Sequence, residues 1–387
     1  MSNIKVKNVV KVFGNEEKKA LNLLNEGYTK EEILKETGMT VGVNNASLEI
    51  NDNEIFVIMG LSGSGKSTLL RCINNLITPT DGEVIIDGDD ITKLDKNEMR
   101  ELRRKKFGMV FQNFALLPFR TVLENTHFGL EISDIDKKEM EEKAKSSLKK
   151  VGLEGWEDKY PDELSGGMQQ RVGLARALCI DPDILFMDEP FSALDPLIKK
   201  DMQDLLLEIY DELNKTIIFI THDLDEALRL GDNIAIMKDG EIVQIGTPED
   251  ILTNSKTDYV EEFVRNVNRG QVLSAEDIMV KPLELVYDND GPVTARYKMN
   301  RNGISSIFVV GKGRKLKGLV RIEDISRIIE EDGDMESIIE ETETASLDTP
   351  LNEIFDQISK MDTPLPVIEN GFLRGIIVKA TVLSNLS

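Results

Sequence analysis

One octapeptide restricts this chain more than any other stretch: Gly60-Leu61-Ser62-Gly63-Ser64-Gly65-Lys66-Ser67, with Thr68 behind it. It follows the apolar run Ile55 to Met59 and opens the amphipathic stretch Lys66 to Ile77. That order reads as strand, glycine-rich turn and helix start, the context of a phosphate-binding loop. Its glycines let successive backbone N–H groups point inward, and the helix N-terminus adds partial positive charge. Lys66 is placed to reach the β- and γ-phosphates of ATP, and Ser67 to ligate Mg²⁺. Gly60 through Thr68 are therefore the expected ATP-binding residues.

A second piece has the chemistry that such a loop needs. The apolar run Ile184 to Met187 predicts a buried strand that delivers Asp188 to the metal, with Glu189 beside it to polarise the attacking water. Around these pieces, up to about Asn268, short β-branched runs alternate with amphipathic stretches: 54–59, 66–77, 107–111, 171–178, 184–187, 202–213 and 217–220. This alternation predicts an α/β domain with a mainly parallel sheet. Residues 82–88 and 233–246 read as hairpins, the latter turning at Asp239-Gly240.

Charge and cysteine content exclude several function classes. The chain has 47 Lys plus Arg against 70 Asp plus Glu, a net charge of −23. A general nucleic-acid binder needs a basic footprint to displace counterions, so no nucleic-acid partner is expected. Cys72 and Cys179 stand far apart without CxxC spacing, and MSNIKVKNVV is no secretory leader. The expectation is a reduced, cytosolic protein. Its most apolar runs fall far below the ~20 residues a bilayer span needs, so any membrane role requires a partner.

Past a polar joint near Asn266 to Gly270 the chain repeats itself. Ser305 to Ser326 aligns with Thr363 to Ser384 as strand, glycine turn, strand and helix start, each copy preceded by a helical stretch. Two small β-α-β-β-α units packed as one module are predicted. An insertion at residues 15–42 contains a capping box, Thr29 with Glu32, and a stop at Gly38. A DNA-reading helix-turn-helix is the alternative there, but the insertion holds four Lys against six Glu, which favours a surface helical hairpin.

Leu164-Ser165-Gly166-Gly167-Met168 precedes the helical run QQRVGLARAL, and this resembles the signature of the ABC-type ATPases. Gln112, Ser192 to Asp195 and His222 match that family's Q-loop, D-loop and switch histidine, in the family's order. The resemblance covers residues 1 to about 265. It implies Glu189, His222 and Gln112 as catalytic residues and Ser67, Gln112 and Asp188 as the Mg²⁺ set. Phe13 matches the aromatic that stacks on adenine, where Tyr is commoner. LSGGM is itself a helix N-terminus, hence a second anion site. The resemblance implies a head-to-tail homodimer in which Ser165, Gly166, Gly167 and Asp195 contact ATP held by the other subunit.

The whole chain further resembles the ATP-binding subunit of glycine betaine/proline betaine importers, through the insertion, the runs GLSGSGKSTLLR, MVFQNFALLPFRTVLEN and LSGGMQQRVGLARAL, and the terminal repeat. The implied organisation is a nucleotide-binding domain at 1–268 with its helical subdomain, then CBS domains at 271–333 and 334–387. The implied partners are an integral-membrane permease and a substrate-binding protein or domain, and the implied place is the cytoplasmic face of the cell membrane. Phe114, Leu117 and Phe119 would line the groove for the permease. CBS pairs commonly hold an adenine nucleotide, and Asp324 stands at the ribose-binding position, but Arg321 and Thr381 depart from the usual pattern. A cyclic dinucleotide and direct sensing of ionic strength are the alternatives, with a local basic patch at Lys312, Arg314, Lys315 and Lys317 for anionic lipid. A methionine or other amino-acid importer is the runner-up, and a non-transport ABC ATPase the reading from another class.

Overall fold

The computed structural model describes residues 3–132, 135–213, 215–265 and 273–386, so the joint near Asn266 to Gly270 lies outside the described residues. The chain divides into two units, Met1–Val267 and Asn268–Ser387.

The first unit opens on strands that sequence periodicity does not reveal. β1 (Ile4–Phe13) is followed by α1 (Glu17–Asn25) and α2 (Lys30–Thr37), then by β2 (Thr40–Ile50), antiparallel to β1. Bulges shift the β1–β2 register three times. Asn8 and Asn45 take left-handed backbone conformations, and the Asn8 amide donates to Asn45 Oδ1 at 2.7 Å. These kinks break the two-residue alternation by which a strand is read. The insertion is a helical hairpin with the Thr29–Glu32 capping box formed and Gly38 left-handed. Ala20, Ile33 and Met39 are buried against Val10, Val12 and Val41.

β3 (Ile55–Met59) is buried at every residue and leads into α3 (Lys66–Ile73). The helix stops short of the predicted Ile77, because Asn75 turns left-handed and the Arg103 guanidinium donates to the carbonyls of Asn74 and Asn75. β4 (Asp81–Ile86) and β5 (Asp89–Asp90) complete a four-stranded sheet in the order β2-β1-β4-β5. α4 (Lys96–Lys106), β6 (Phe107–Phe111), α5 (Val122–His127), α6 (Lys137–Lys150) and α7 (Gly166–Cys179) follow, with α5, α6 and α7 packed together as a helical subdomain. The chain then alternates through β7 (Ile184–Asp188), α8 (Pro196–Leu213), β8 (Thr216–Thr221), α9 (Leu224–Leu230), β9 (Asn233–Lys238) and β10 (Glu241–Gly246), ending in α10 (Pro248–Thr253) and α11 (Asp258–Val264).

The second sheet has six strands in the order β10-β9-β3-β8-β7-β6, parallel except for β10. Leu69, Leu70 and Ile73 of α3 share one buried cluster with Ile4, Ile50 and Val84 of the first sheet and Phe56, Phe186 and Ile218 of the second. The phosphate-loop helix is thus clamped between two sheets. Among the described residues no helix is long and apolar enough to cross a membrane.

In the second unit, α12 (Ala275–Ile278), β11 (Val286–Tyr287), α13 (Pro292–Asn302), β12 (Ser306–Val310), β13 (Leu316–Arg321) and α14 (Ile322–Glu330) form the first copy of the repeat. α15 (Leu351–Ser359), β14 (Leu365–Glu369), β15 (Phe372–Ile377) and α16 (Lys379–Leu386) form the second. The second copy departs from the expected β-α-β-β-α order, since its first strand shrinks to one isolated bridge, Ala345 to Val367. Ser346 and Thr349 hydrogen-bond to one another there, which ends the extended run at once. The copies share apolar contacts through Phe308, Val310, Leu319 and Leu373.

Phe186 is fully buried, with its ring edge-on to Phe107 at 5.0 Å. Phe186→Ala should lose ~3–5 kcal/mol, the usual cost of deleting a core aromatic ring. Denaturant unfolding checks this, and a loss below about 1 kcal/mol would mean that the two sheets do not share one core.

Candidate functional site

Four parallel strands end in a row, and each hands over a residue at that edge. Gly60 follows β3, His222 follows β8, Asp188 ends β7 with Glu189 behind it, and Gln112 follows β6. The registers Met59 to Thr221, Asp188 to Ile220 and Phe111 to Asp188 align these ends. The C-terminal edge of a parallel sheet is where α/β proteins place ligands, because helix N-termini converge there.

The loop from Gly60 to Lys66 wraps that edge tightly. A side chain on Gly60, at φ +154°, would meet the Met237 carbonyl at 2.3 Å, and one on Gly65, at φ +103°, would meet the Gly42 carbonyl at 2.4 Å. Only glycine satisfies both positions. Lys66, 5% exposed, donates to the carbonyls of Gly60 (2.8 Å) and Leu61 (3.1 Å) and lies 3.8 Å from Glu189 Oε1. Burial pulls its ammonium below the usual lysine range, against the carboxylates of Glu189 and Asp188, which raise it. Ser64 keeps a buried hydroxyl without a hydrogen-bond partner, a polar atom aimed at nothing in the protein.

Ser67 Oγ donates to Asp188 Oδ1 at 2.8 Å, and Arg71 Nη2 stands 3.7 Å from Asp188 Oδ2. A hydroxyl and a carboxylate so close are hard oxygen donors suited to Mg²⁺ beside phosphate. The ATP and Mg²⁺ expectations fit these residues. Glu189 has positive φ (46°), its N–H donates to the Ile220 carbonyl at 3.1 Å, and its Oε2 accepts from His222 Nδ1 at 3.0 Å. One carboxylate thus links Lys66 to His222. His222 is steadied from behind, because Asp223 caps α9 and accepts from Lys199. Burial works to raise the Asp223 pKa, but the Lys199 hydrogen bond and charge outweigh it and hold the carboxyl below its usual range.

The cleft over this edge is lined by Phe13, Gly42, Ser62, Lys66, Thr68 and Glu189, and also by Lys30 of the insertion. Phe13 is 40% exposed, with its ring against Gly42. Gln112 is exposed at the end of its strand. Ser165, Gly166, Gly167 and Asp195 do not line the cleft of their own chain. Ser165 caps α7 with its Oγ accepting from Met168 N–H at 3.4 Å, and Asp195 Oδ1 accepts from Ile198 N–H at 3.2 Å. Phe119 is 92% exposed, while Phe114 and Leu117 are half-buried. In the second unit Asp324 is engaged by Arg327 at 2.6 Å, and Arg321 by Glu340 at 3.2 Å. Lys317 of the basic patch faces Asp288 and Glu336.

Sequence reasoning missed Lys30, Arg71 and Arg176. The only available signal for Lys30 was its place directly after the Thr29 cap. Arg176 donates to the carbonyls of Phe114 (2.9 Å) and Ala115 (2.6 Å), both residues of positive φ.

The ABC transporter family model matches residues 43–192, and the CBS domain model matches residues 275–331. The chain is 56% identical over 386 residues to the glycine betaine transport ATP-binding protein OpuAA of Bacillus subtilis, covering 99% of this chain and 92% of that protein. It is 52% identical to the glycine betaine/carnitine transport ATP-binding protein GbuA of Listeria monocytogenes, covering 100% and 98%. With the glycine betaine/proline betaine protein ProV of Escherichia coli it shares 47% identity over 99% and 97%. Among solved structures, a dimeric ATP-binding cassette in a post-hydrolysis state with ADP and Pi superposes with TM-score 0.54 at 35% identity, covering 63% of this chain and 98% of that one.

Lys66→Ala should lower ATP affinity at least ~10-fold, because it removes the buried cation and leaves the Glu189 carboxylate, held only by His222, facing the phosphates. Equilibrium titration with ATP reads this directly. An unchanged affinity would remove Lys66 from the site.

Proposed function

This chain belongs to the ATP-binding subunits of the glycine betaine ABC transporters, and we propose that two copies close head to tail on ATP to drive their permease. It is an ATPase that energises import of compatible solutes. The observation that supports the dimer best is a separation within one chain: the N-terminus of α3 opens on the cleft, while Ser165 at the N-terminus of α7 lies outside it. Each N-terminus attracts anions, and a second copy turned head to tail brings the missing one to the same phosphates.

The roles follow from chemistry. Backbone N–H groups from Gly63 to Thr68, with Lys66, bind the β- and γ-phosphates, and Phe13 stacks on adenine. Ser67 and Asp188, with Gln112 from the neighbouring strand, would hold Mg²⁺. That ion, when bound, neutralises charge developing on the phosphates. Glu189 takes a proton from the attacking water, while His222 orients its carboxylate through the 3.0 Å contact and faces the γ-phosphate. Ser165, Gly166, Gly167 and Asp195 act on the other subunit's nucleotide. Hydrolysis removes the shared phosphate contacts and lets the subunits part, which moves whatever is docked on each.

The exposed Phe119, with Phe114 and Leu117, is the apolar patch suited to a permease helix. Docked through it, the subunit would sit peripherally on the cytoplasmic face of the membrane, with a substrate-binding protein or domain delivering solute from the other side. The second unit acts as a paired CBS regulator, at 271–333 and 334–387. Its ligand is an adenine nucleotide or a cyclic dinucleotide, for which Asp324, whose Oδ1 accepts from Arg327, would bind ribose through its other carboxylate oxygen.

Glu189→Gln should bind ATP, lose hydrolysis by about 100-fold or more and accumulate as a dimer on size exclusion. A monomer under saturating ATP would sink the head-to-tail assembly. Ser165→Arg should still bind ATP yet fail to hydrolyse it, and normal turnover would remove Ser165 from the trans site. Reconstitution with the cognate permease should give ATP-dependent glycine betaine uptake, measured against proline betaine, carnitine and choline. Absence of uptake of all four would overturn the substrate class.

A further inference from the structure

We propose that the helical insertion at residues 15–42 is part of the nucleotide site, and that Lys30 supplies a second cation to the phosphate chain of bound ATP or ADP. This rests on the reading of the cleft as an ATP site. Lys30 and Lys66 are the two basic side chains lining that cleft, against one acidic residue, Glu189. Lys66 is already bound to two carbonyls and approached by Glu189. Lys30 is half-buried, and among the described residues it makes no ion pair or side-chain hydrogen bond.

The hairpin is also built to hold that cation still. The positions three and four residues on, where a helix would bring a partner to Lys30, hold Ile33 and Leu34, and Glu32 is committed to the Thr29 N–H at 2.8 Å and hydroxyl at 3.0 Å. The capping box therefore fixes the backbone one residue before Lys30, and the helix offers that amine no acidic partner on its own face. Lower down, Glu17 of α1 accepts from Lys11 at 3.1 Å and Thr80 at 2.8 Å, so the hairpin is tied to β1 and to the chain leading into β4. Met39 closes over Gly14, where a side chain would meet it at 2.6 Å. Both ends of the insertion are thereby pinned beside Phe13, the proposed adenine platform. A long flexible amine on such a base loses little further freedom on meeting a phosphate, so its charge counts toward affinity.

The test is calorimetric titration of ATP, ADP and adenosine into the full chain and its Lys30→Ala, Lys30→Arg and Lys30→Glu variants, at low and high salt. Lys30→Ala should weaken ATP and ADP by about fivefold to tenfold at low salt, with a smaller loss at high salt. Lys30→Arg should restore affinity, Lys30→Glu should weaken it further, and adenosine should bind all four proteins alike. Equal ATP affinity for the wild-type chain and Lys30→Ala would overturn the proposal. So would an equal loss for adenosine, which would mark a packing role. If the wild-type chain itself failed to bind ATP, the reading of the cleft would fail first, and the two failures are distinguishable.

Discussion

The burial of α3 between two sheets is the constraint on which the remaining geometry depends. Its apolar face, Leu69, Leu70 and Ile73, is fully enclosed, so its first turn cannot shift without opening both cores. That first turn carries Lys66 and Ser67. A hydrophobic contact thus fixes the position of charged groups, and a charged ligand can be met without reorganisation. Pre-organisation of this kind strengthens electrostatic binding, since little is left to order when the phosphates arrive.

The same constraint explains how an acidic protein binds a polyanion. The net charge of −23 is spread over the chain, whereas the proposed phosphate site is assembled from backbone N–H groups, the N-terminus of α3 and the buried Lys66 ammonium. At ordinary ionic strength charges beyond roughly 10 Å are screened, so local groups decide. The carboxylates that do stand near are assigned work: Asp188 holds Ser67, and Glu189 spans Lys66 and His222.

Much of this was legible in residues because motif order maps directly onto strand ends. Apolar runs at 55–59, 107–111, 184–188 and 216–221 each end at, or one residue before, a candidate site residue, and parallel strands aligned in register bring such ends together. What stayed hidden lacks that one-dimensional trace. The β1–β2 pair is kinked at Asn8 and Asn45, so its alternation fails just where periodicity is measured. Lys30 sits at the start of a polar helix whose side-chain directions depend on how the hairpin folds back over β1. In the second repeat, alignment with the first copy promised a leading strand, but the polar run before Pro350 forms a side-chain hydrogen-bonded turn that leaves only the Ala345 bridge.

The helix α7 joins two regions that the motifs present as separate. Its first turn carries Ser165 and the close-approach glycines, and a side chain on Gly167 would strike Ile198 of α8 at 2.5 Å. Ten residues along, Arg176 grips the carbonyls of Phe114 and Ala115. Those two residues hold left-handed conformations that a bulky side chain adopts only at a cost, so the loop after Gln112 keeps its shape because the guanidinium holds it. Burial pulls the Arg176 pKa down, yet the group stays charged at any physiological pH, so the grip does not titrate. One helix thus carries, near one end, the turn proposed to act in trans and, near the other, the grip on the loop bearing the exposed Phe119. In the proposed dimer a shift of that turn would carry this loop with it, which gives a direct mechanical path from the nucleotide to the proposed permease patch.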